Sequence, residues 1–421
     1  MVEKLHVLMN GREIGGLAGE GKNLRLLYNQ QALDSPRTVP LSLSMPTTSA
    51  RWKGNVISRW ISALLPEREA VLARWRRDFR VTDMRAESLL PYVGEDVAGA
   101  AQFVSADRLE TMREFKGGIV EVSASDIAQM LRAARADSSV VDISTGAGKF
   151  SLAGAQAKIA LQKTASGWAL PYGAEPTTHI LKPAIPGLES QDLVEALTAR
   201  TAANLGLPAA PTTLDEFDGE RAVISERFDR VLTATGWRRV HQEDLCQALG
   251  ANPQRKYEIE GGPSAAVCGE LIRRYCPLQD VETFARTLIT NHLLRGSDAH
   301  ARNYSLLLTP GEVRLAPLYD LNSTLAYGAN WAEHSSMSIG GEDRFSYVGR
   351  SNWENFALSL RLEPGWVLSE LQGLAQRTPD ALADAKKQSD LVQVSSAVGE
   401  TMLRNVTNWC AETTKKVFGH S

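Results

Sequence analysis

Cysteine is scarce in this 421-residue chain: Cys246, Cys268, Cys276 and Cys410 are the four, and no two stand at C-x-x-C spacing. That excludes a disulfide-built scaffold and a cysteine-rich zinc module, and reduced, partly buried thiols are expected instead. A surplus of one charge is missing too: 46 Lys and Arg against 49 Asp and Glu give a net charge of −3 and a pI near 6.2. A chain that grips nucleic acid unaided usually carries a basic surplus, because phosphate contacts dominate its affinity. No run reaches the roughly 18 apolar residues of a membrane span. The segment MVEKLHVLMNGREIGGL has neither a signal-length apolar core nor a small-residue cleavage site. The expectation is a soluble cytoplasmic protein.

With 43% hydrophobic and 23% charged residues the composition is that of a globular chain. Its length calls for two or three packed units. Residues 1 to about 105 read as a small α+β unit. LHVLMNGREIGGL predicts a hairpin turning at Asn10-Gly11, and VISRWISALLPEREAVLARW is helical in period, broken at Pro66. SADRLETMREF marks a transition, and SASDIAQMLRAA a helix capped near Asp126.

From about 140 to 230 strand signals dominate. KFSLAGAQAKIALQK and GWALPYG suggest a hairpin, THILKP and RAVISERFD two strands, and SQDLVEALTARTAANLG a helix between them. Beyond Phe228 the pattern is mainly helical. The fold class expected is therefore α+β: a small β-rich lobe over 106–230 and a large helical lobe over 231–421, following an accessory N-terminal unit over 1–105.

The stretch from Val281 to Asp320 carries the chemistry. Val281, Phe284, Ala285, Leu288, Ile289 and Leu293 fall at helical spacing, and Gly296 is expected as the left-handed cap. A loop, SDAHARN, leads to two strands, YSLLL and VRLAPLY, joined at Thr309-Pro310-Gly311-Glu312. Pairing Leu308 with Val313 sets Asn303 opposite Leu318, with Asp320 just beyond the open end. Phosphoryl transfer uses such a set: one Asp orients the attacking hydroxyl, while an Asn and a second Asp hold Mg²⁺ on the phosphates. Asp298 to Asn303 also reproduces the D-x-x-x-x-N spacing of a kinase catalytic loop. Taken singly, each aspartate is an ordinary loop or turn carboxylate; the set is what points to catalysis. His300 either meets nucleotide or orders the loop.

A kinase needs a cation for the phosphates, commonly a strand lysine held by a helix carboxylate. Lys182 ends THILK, and Glu195 lies on the next helix, thirteen residues on. SLAGAQAK joins two strands as a phosphate-covering loop would, with one glycine, Gly154, and backbone N–H groups that can form an anion nest. TGAGKFS is not a P-loop, because Ile143 and Phe150 stand where Gly and Ser or Thr are required. Gly146-Ala147-Gly148 is expected as a loop.

Taken together, SLAGAQAK, TTHILKP, SERFDR, HQEDLCQALG, GSDAHARN and LAPLYD resemble the HipA family of bacterial kinase toxins, in order from about Phe150 to Asp320. VLMNGREIGGL and PLSLSMP resemble its accessory N-terminal domain. The resemblance implies a two-lobed protein-kinase-like fold using ATP and Mg²⁺. It implies that Ala153, Gly154, Ala155, Gln156, Ala157 and Lys158 cover the phosphates and Lys182 contacts them. Glu226, Arg227 and Phe228 would form the adenine hinge, and His300 and Tyr319 would lie against nucleotide. Asp298 would be the base, Asn303 and Asp320 the metal ligands, and Ser151 the autophosphorylation site. Family members phosphorylate proteins, notably aminoacyl-tRNA synthetases, and arrest translation. A small helix-turn-helix antitoxin restrains them and, with them, represses the operon. DNA is expected to be reached through that antitoxin, with Arg344 and Arg350 as candidates for direct contact.

Two rivals share parts of this pattern. D-x-H-x-x-N also occurs in phosphoinositide kinases, although the basic amphipathic surface of membrane work is lacking here. A non-catalytic corepressor is the other, and it would have been free to lose Lys182, Asp298, Asn303 and Asp320.

Overall fold

The computed structural model describes residues 5–136, 150–328, 332–388 and 397–419. The expected Gly146-Ala147-Gly148 loop lies outside them. The chain divides into two compact units that are not contiguous in sequence. One comprises 1–183, 216–253 and 306–312; the other comprises 184–215, 254–305 and 313–421.

The first unit opens on the expected hairpin. Strands Leu5–Met9 and Arg12–Ala18 pair with Met9 opposite Arg12, and Asn10 and Gly11 take φ of 48° and 75°. Two positive φ values in a two-residue turn suit Asn-Gly, whose twist matches that of the strands. Arg25–Tyr28, Arg51–Lys53 and Ala101–Val104 complete a five-stranded sheet. Helices Asn55–Ser62 and Glu69–Asp78 flank Pro66, as the periodicity predicts. Trp60, Ile57, Leu89 and Phe103 are fully buried in a core that draws on residues between Leu5 and Phe103.

A second sheet in this unit sets Glu220–Glu226, His179–Pro183, Ile159–Lys163, Trp168–Gly173 and Gly117–Val122 side by side. Helix Ala124–Arg135 packs on it through Ile127, Ala128 and Leu131, and starts at a capping box between Ser123 and Asp126. Three strands depart from the sequence reading. Gly117–Val122 is an exposed edge strand, and Arg230–Thr233 with Gly236–Arg239 forms a polar hairpin where helix was expected to begin. Neither shows the apolar alternation that makes a strand legible, because neither buries a full face.

The second unit is helical. Gln191–Asn204, Leu278–Leu293, Pro364–Lys386 and Ala397–Phe418 pack together around Leu197, Leu371, Val406 and Trp409. Within Leu278–Leu293 all six expected core positions are buried. The left-handed residue that ends this helix is Arg295, with φ of 46°, not Gly296. Gly296 sits in a tight place: a Cβ there would stand 3.0 Å from Asn291 Oδ1 and 3.2 Å from the Asn322 carbonyl oxygen. Among the described residues, no helix is long and apolar enough to cross a membrane. Cys246, Cys268 and Cys410 are buried and Cys276 is partly so, all as free thiols.

Candidate active site

Asp298 follows the helix Leu278–Leu293 and is fixed through its backbone. Its carbonyl accepts from the His300 N–H and from Asn303 Nδ2, each at 2.8 Å. Ala301–Asn303 is a single 3₁₀ turn, closed by the Asn303 N–H on the His300 carbonyl at 2.9 Å. The aspartate side chain stays 59% exposed, open enough to meet another molecule.

The strand pair that follows delivers Asp320. The Ala316 N–H donates to the Ser305 carbonyl at 2.8 Å. That is the expected register, which sets 303 opposite 318. Leu318 is held on both sides, its N–H on the Pro208 carbonyl at 2.7 Å and its carbonyl on the Ala210 N–H at 2.8 Å. Asp320 itself takes φ of 56°. Left-handed backbone at a residue other than glycine costs energy and clusters at functional sites. The next turn is bolted to the end of the helix: Ser323 Oγ donates to the Leu294 carbonyl, and Thr324 Oγ1 to that of Arg295 at 2.9 Å. Asp298, Asn303, Tyr319 and Asp320 consequently line one small cleft, floored by Asn291 and Gly296.

Asn303 presents Nδ2 to the Asp298 carbonyl, so its Oδ1 is turned away from that bond. An amide oxygen and a carboxylate on one cleft suit Mg²⁺, which takes few protein ligands and keeps waters and phosphate oxygens. Among the described residues no three His, Cys, Asp or Glu side chains converge to hold a metal.

Other expected residues are placed as follows. His300 is 3% exposed, with Nε2 3.9 Å from Asp298 Oδ1. The Tyr319 hydroxyl bonds the Arg302 carbonyl at 2.8 Å and Ser305 Oγ at 2.7 Å, so it is engaged with the loop. Tyr257 was not foreseen. Its hydroxyl donates to Asp298 Oδ1 at 2.6 Å and its ring meets His300 edge-on. It lies in Lys256-Tyr257-Glu258, upstream of Gly261-Gly262-Pro263, where no periodicity or spacing singles out a tyrosine. Glu195 is buried in the same unit and accepts from Gln191 Nε2 at 3.2 Å. Arg344 and Arg350 pair with Glu342 and Glu354 at 2.8 and 2.9 Å.

The remaining expected residues belong to the first unit. Lys182 is 7% exposed and stands opposite Val223. The segment 153–158 is an open loop. Gly154 has φ of 108°, and a Cβ on it would meet Lys158 Nζ at 2.6 Å. Lys158 reaches back to the Ala153 carbonyl at 2.5 Å, and Gln156 Nε2 donates to the Pro183 carbonyl, next to Lys182, at 3.3 Å. Ala157 packs against the core beneath the sheet. Ser151 is buried at 1% exposure, its Oγ donating to the Leu64 carbonyl at 2.8 Å and its N–H to the Asp96 carbonyl at 3.0 Å. Glu226 is exposed and Phe228 half-buried, while Arg227 turns inward to bond Asp229 and Thr177.

That inward turn exposes a cluster the sequence did not announce. Asp96 accepts from Thr177, Arg230 and Arg239, and Asp229 accepts from Arg227, Gln242 and the Gly99 N–H, all buried or nearly so. Burial works against both carboxylates, yet the arginines win: Asp229 is held down to about 2, and Asp96 is lowered further.

Residues 150–382 match the model of the HipA-like C-terminal domain, and residues 5–104 that of the HipA N-terminal domain. The chain belongs to the HipA family. By that membership it is a protein kinase. Within the family, the chain is 32% identical over 401 residues to Y4mE of Sinorhizobium fredii, which carries a provisional kinase designation; 94% of this chain and 95% of Y4mE are covered. It is 28% identical over 362 residues to the serine/threonine-protein kinase toxin HipA of Shewanella oneidensis, covering 82% and 80%. The fold matches HipA from the Shewanella oneidensis complex of HipA, HipB and operator DNA, with a TM-score of 0.81 at 24% identity over 99% of this chain and 97% of that one.

Proposed function

We propose that this HipA-family chain is a serine/threonine-protein kinase toxin that transfers the γ-phosphate of ATP to a protein hydroxyl. The observation that carries the reading is the cleft itself, lined at once by Asp298, Asn303 and Asp320. Asp298 orients the acceptor hydroxyl and takes its proton as the oxygen bonds to the γ-phosphorus. The bond from that phosphorus to the β-bridging oxygen breaks, and ADP leaves. Asn303 Oδ1 and the Asp320 carboxylate would hold Mg²⁺, which would supply charge neutralisation on the phosphates. Lys182, supported by Glu195, and the loop 153–158 serve the phosphates; Glu226–Phe228 receives adenine. The finer division into an accessory domain (1–105), a β-rich lobe (106–230) and a helical lobe (231–421) belongs to this reading.

The acceptor is a translation component such as an aminoacyl-tRNA synthetase. The partner is a small HipB-like helix-turn-helix antitoxin, through which the pair reaches its operator and represses its own genes. Ser151 is the autophosphorylation site. Its burial means that the segment has to leave the Leu64 carbonyl before a phosphate can be seated, which supports a switch that displaces the neighbouring loop.

The test is Asp320→Ala. Transfer of ³²P from Mg·ATP to a translation extract should be abolished while the thermal unfolding midpoint stays within a degree or two of the wild type. Undiminished transfer by the folded variant would remove the site assignment.

A further inference from the structure

The carboxylate of Asp298 has two oxygens, and a hydroxyl-orienting group needs one of them turned to the acceptor. Tyr257 bears on the rotation of that side chain: its phenol donates to Oδ1 at 2.6 Å, a short, charge-assisted distance. We propose that Tyr257 is a positioning residue for phosphoryl transfer, holding the Asp298 carboxylate through Oδ1 in the orientation that meets the acceptor hydroxyl. The inference rests on the assignment of Asp298 given above.

A phenol in that place has a second reading, as a stand-in for the acceptor that must withdraw before substrate binds. The anchorage of its segment decides between them. Glu258, the next residue, accepts from the Ser338 N–H at 2.7 Å and from Ser338 Oγ at 2.8 Å. Gly262 is wedged so closely that a Cβ there would stand 2.5 Å from the Arg255 carbonyl and 2.7 Å from that of Tyr257. The Tyr257 ring stacks edge-on to buried His300 at 5.1 Å, and His300 is tied by its own N–H to the Asp298 carbonyl. A tyrosine clamped on both flanks and on its ring face is built to stay. It joins the rigid frame that holds a reacting group within a fraction of an ångström.

The test compares the wild type, Tyr257→Phe and Asp298→Asn in ³²P transfer from Mg·ATP to a translation extract, with nucleotide affinity and unfolding midpoint measured in parallel. Tyr257→Phe keeps the ring and its packing and removes one oxygen. Its kcat should fall about ten- to hundredfold with KM for ATP within twofold and an unchanged midpoint. A wild-type rate for Tyr257→Phe beside a silent Asp298→Asn overturns the positioning role and leaves the catalytic assignment standing. A faster Tyr257→Phe enzyme also overturns it, showing a blocking phenol. A rise in KM matching the fall in kcat overturns it in favour of a merely structural contact. Active Asp298→Asn would remove the catalytic assignment and this proposal with it.

Discussion

Asp96 and Asp298 are held by opposite means. Asp96 is 5% exposed and meets the guanidinium groups of Arg230 and Arg239 at 2.8 and 3.0 Å, with Arg227 at 3.5 Å. Asp298 is more than half exposed, and its carboxylate is steadied by a neutral phenol. In the first place every charge faces a fixed opposite charge, so the cluster is inert and structural. In the second, the carboxylate takes a phenol O–H on Oδ1 and still reaches solvent, which leaves it open to another molecule. Net charge and residue type do not separate these aspartates; burial does.

The same substitution at both places should therefore give opposite readouts. Asp298→Asn is expected to lower ³²P transfer by about 10²- to 10⁴-fold, the usual worth of a positioned base, with little change in stability. Asp96→Asn leaves buried arginines under-compensated and should cost about 3–5 kcal/mol in urea unfolding. Its residual activity should follow the folded fraction. If Asp96→Asn is as stable as the wild type, the cluster is not the structural element described here.

Acidification sharpens the contrast from another side. Burial depresses His241 to about 4 and His292 to about 3. Their unfolded forms titrate near 6.5, so the unfolded chain takes up protons first, and stability present above that pH is lost as pH falls. At pH 5 the loss should be about 2 kcal/mol for each histidine. Glu243 acts in the opposite sense: burial raises it to about 7, and its stabilising share is present at low pH and lost as pH rises through 7. Urea midpoints should fall from pH 6.5 to 4, more steeply in Glu243→Gln. A flat profile would contradict the burial of these imidazoles.

The smallest effect concerns Ser151. Ser151→Ala leaves the Leu64 carbonyl without that donor and should cost about 1 kcal/mol. Ser151→Asp forces a carboxylate into a site of 1% exposure and should cost more, while weakening binding of a fluorescent ATP analogue. Equal binding by Ser151→Asp and wild type would argue against the displaced-loop switch.

The helix before Asp298, the hairpin after it and the register that aligns 303 with 318 were legible, because apolar spacing and turn residues are local signals. So were Asn10-Gly11 and the capped helix start near Asp126, whose N-cap is Ser123. The left-handed cap was misplaced by one residue: Arg295 takes it, and Gly296 sits in a tight place beside Asn291 and Asn322. Tyr257 and the Asp96–Asp229 cluster were invisible. Each depends on partners tens of residues away: Tyr257 is 41 residues from Asp298, and Asp96 is 134 from Arg230. Pairings at that range leave no period in a sequence.

Gly154 pairs with Pro66 and accepts from the Glu67 N–H, Phe150 bridges Asp96, and Ser151 leans on Leu64. The loop proposed to cover phosphate thus takes its bearings from residues of the first hundred. A chain shortened to begin at residue 106 would keep every residue assigned to chemistry and yet lose the surveyor's marks by which that loop is laid out. The segment called accessory is, for the loop, its fixed ground.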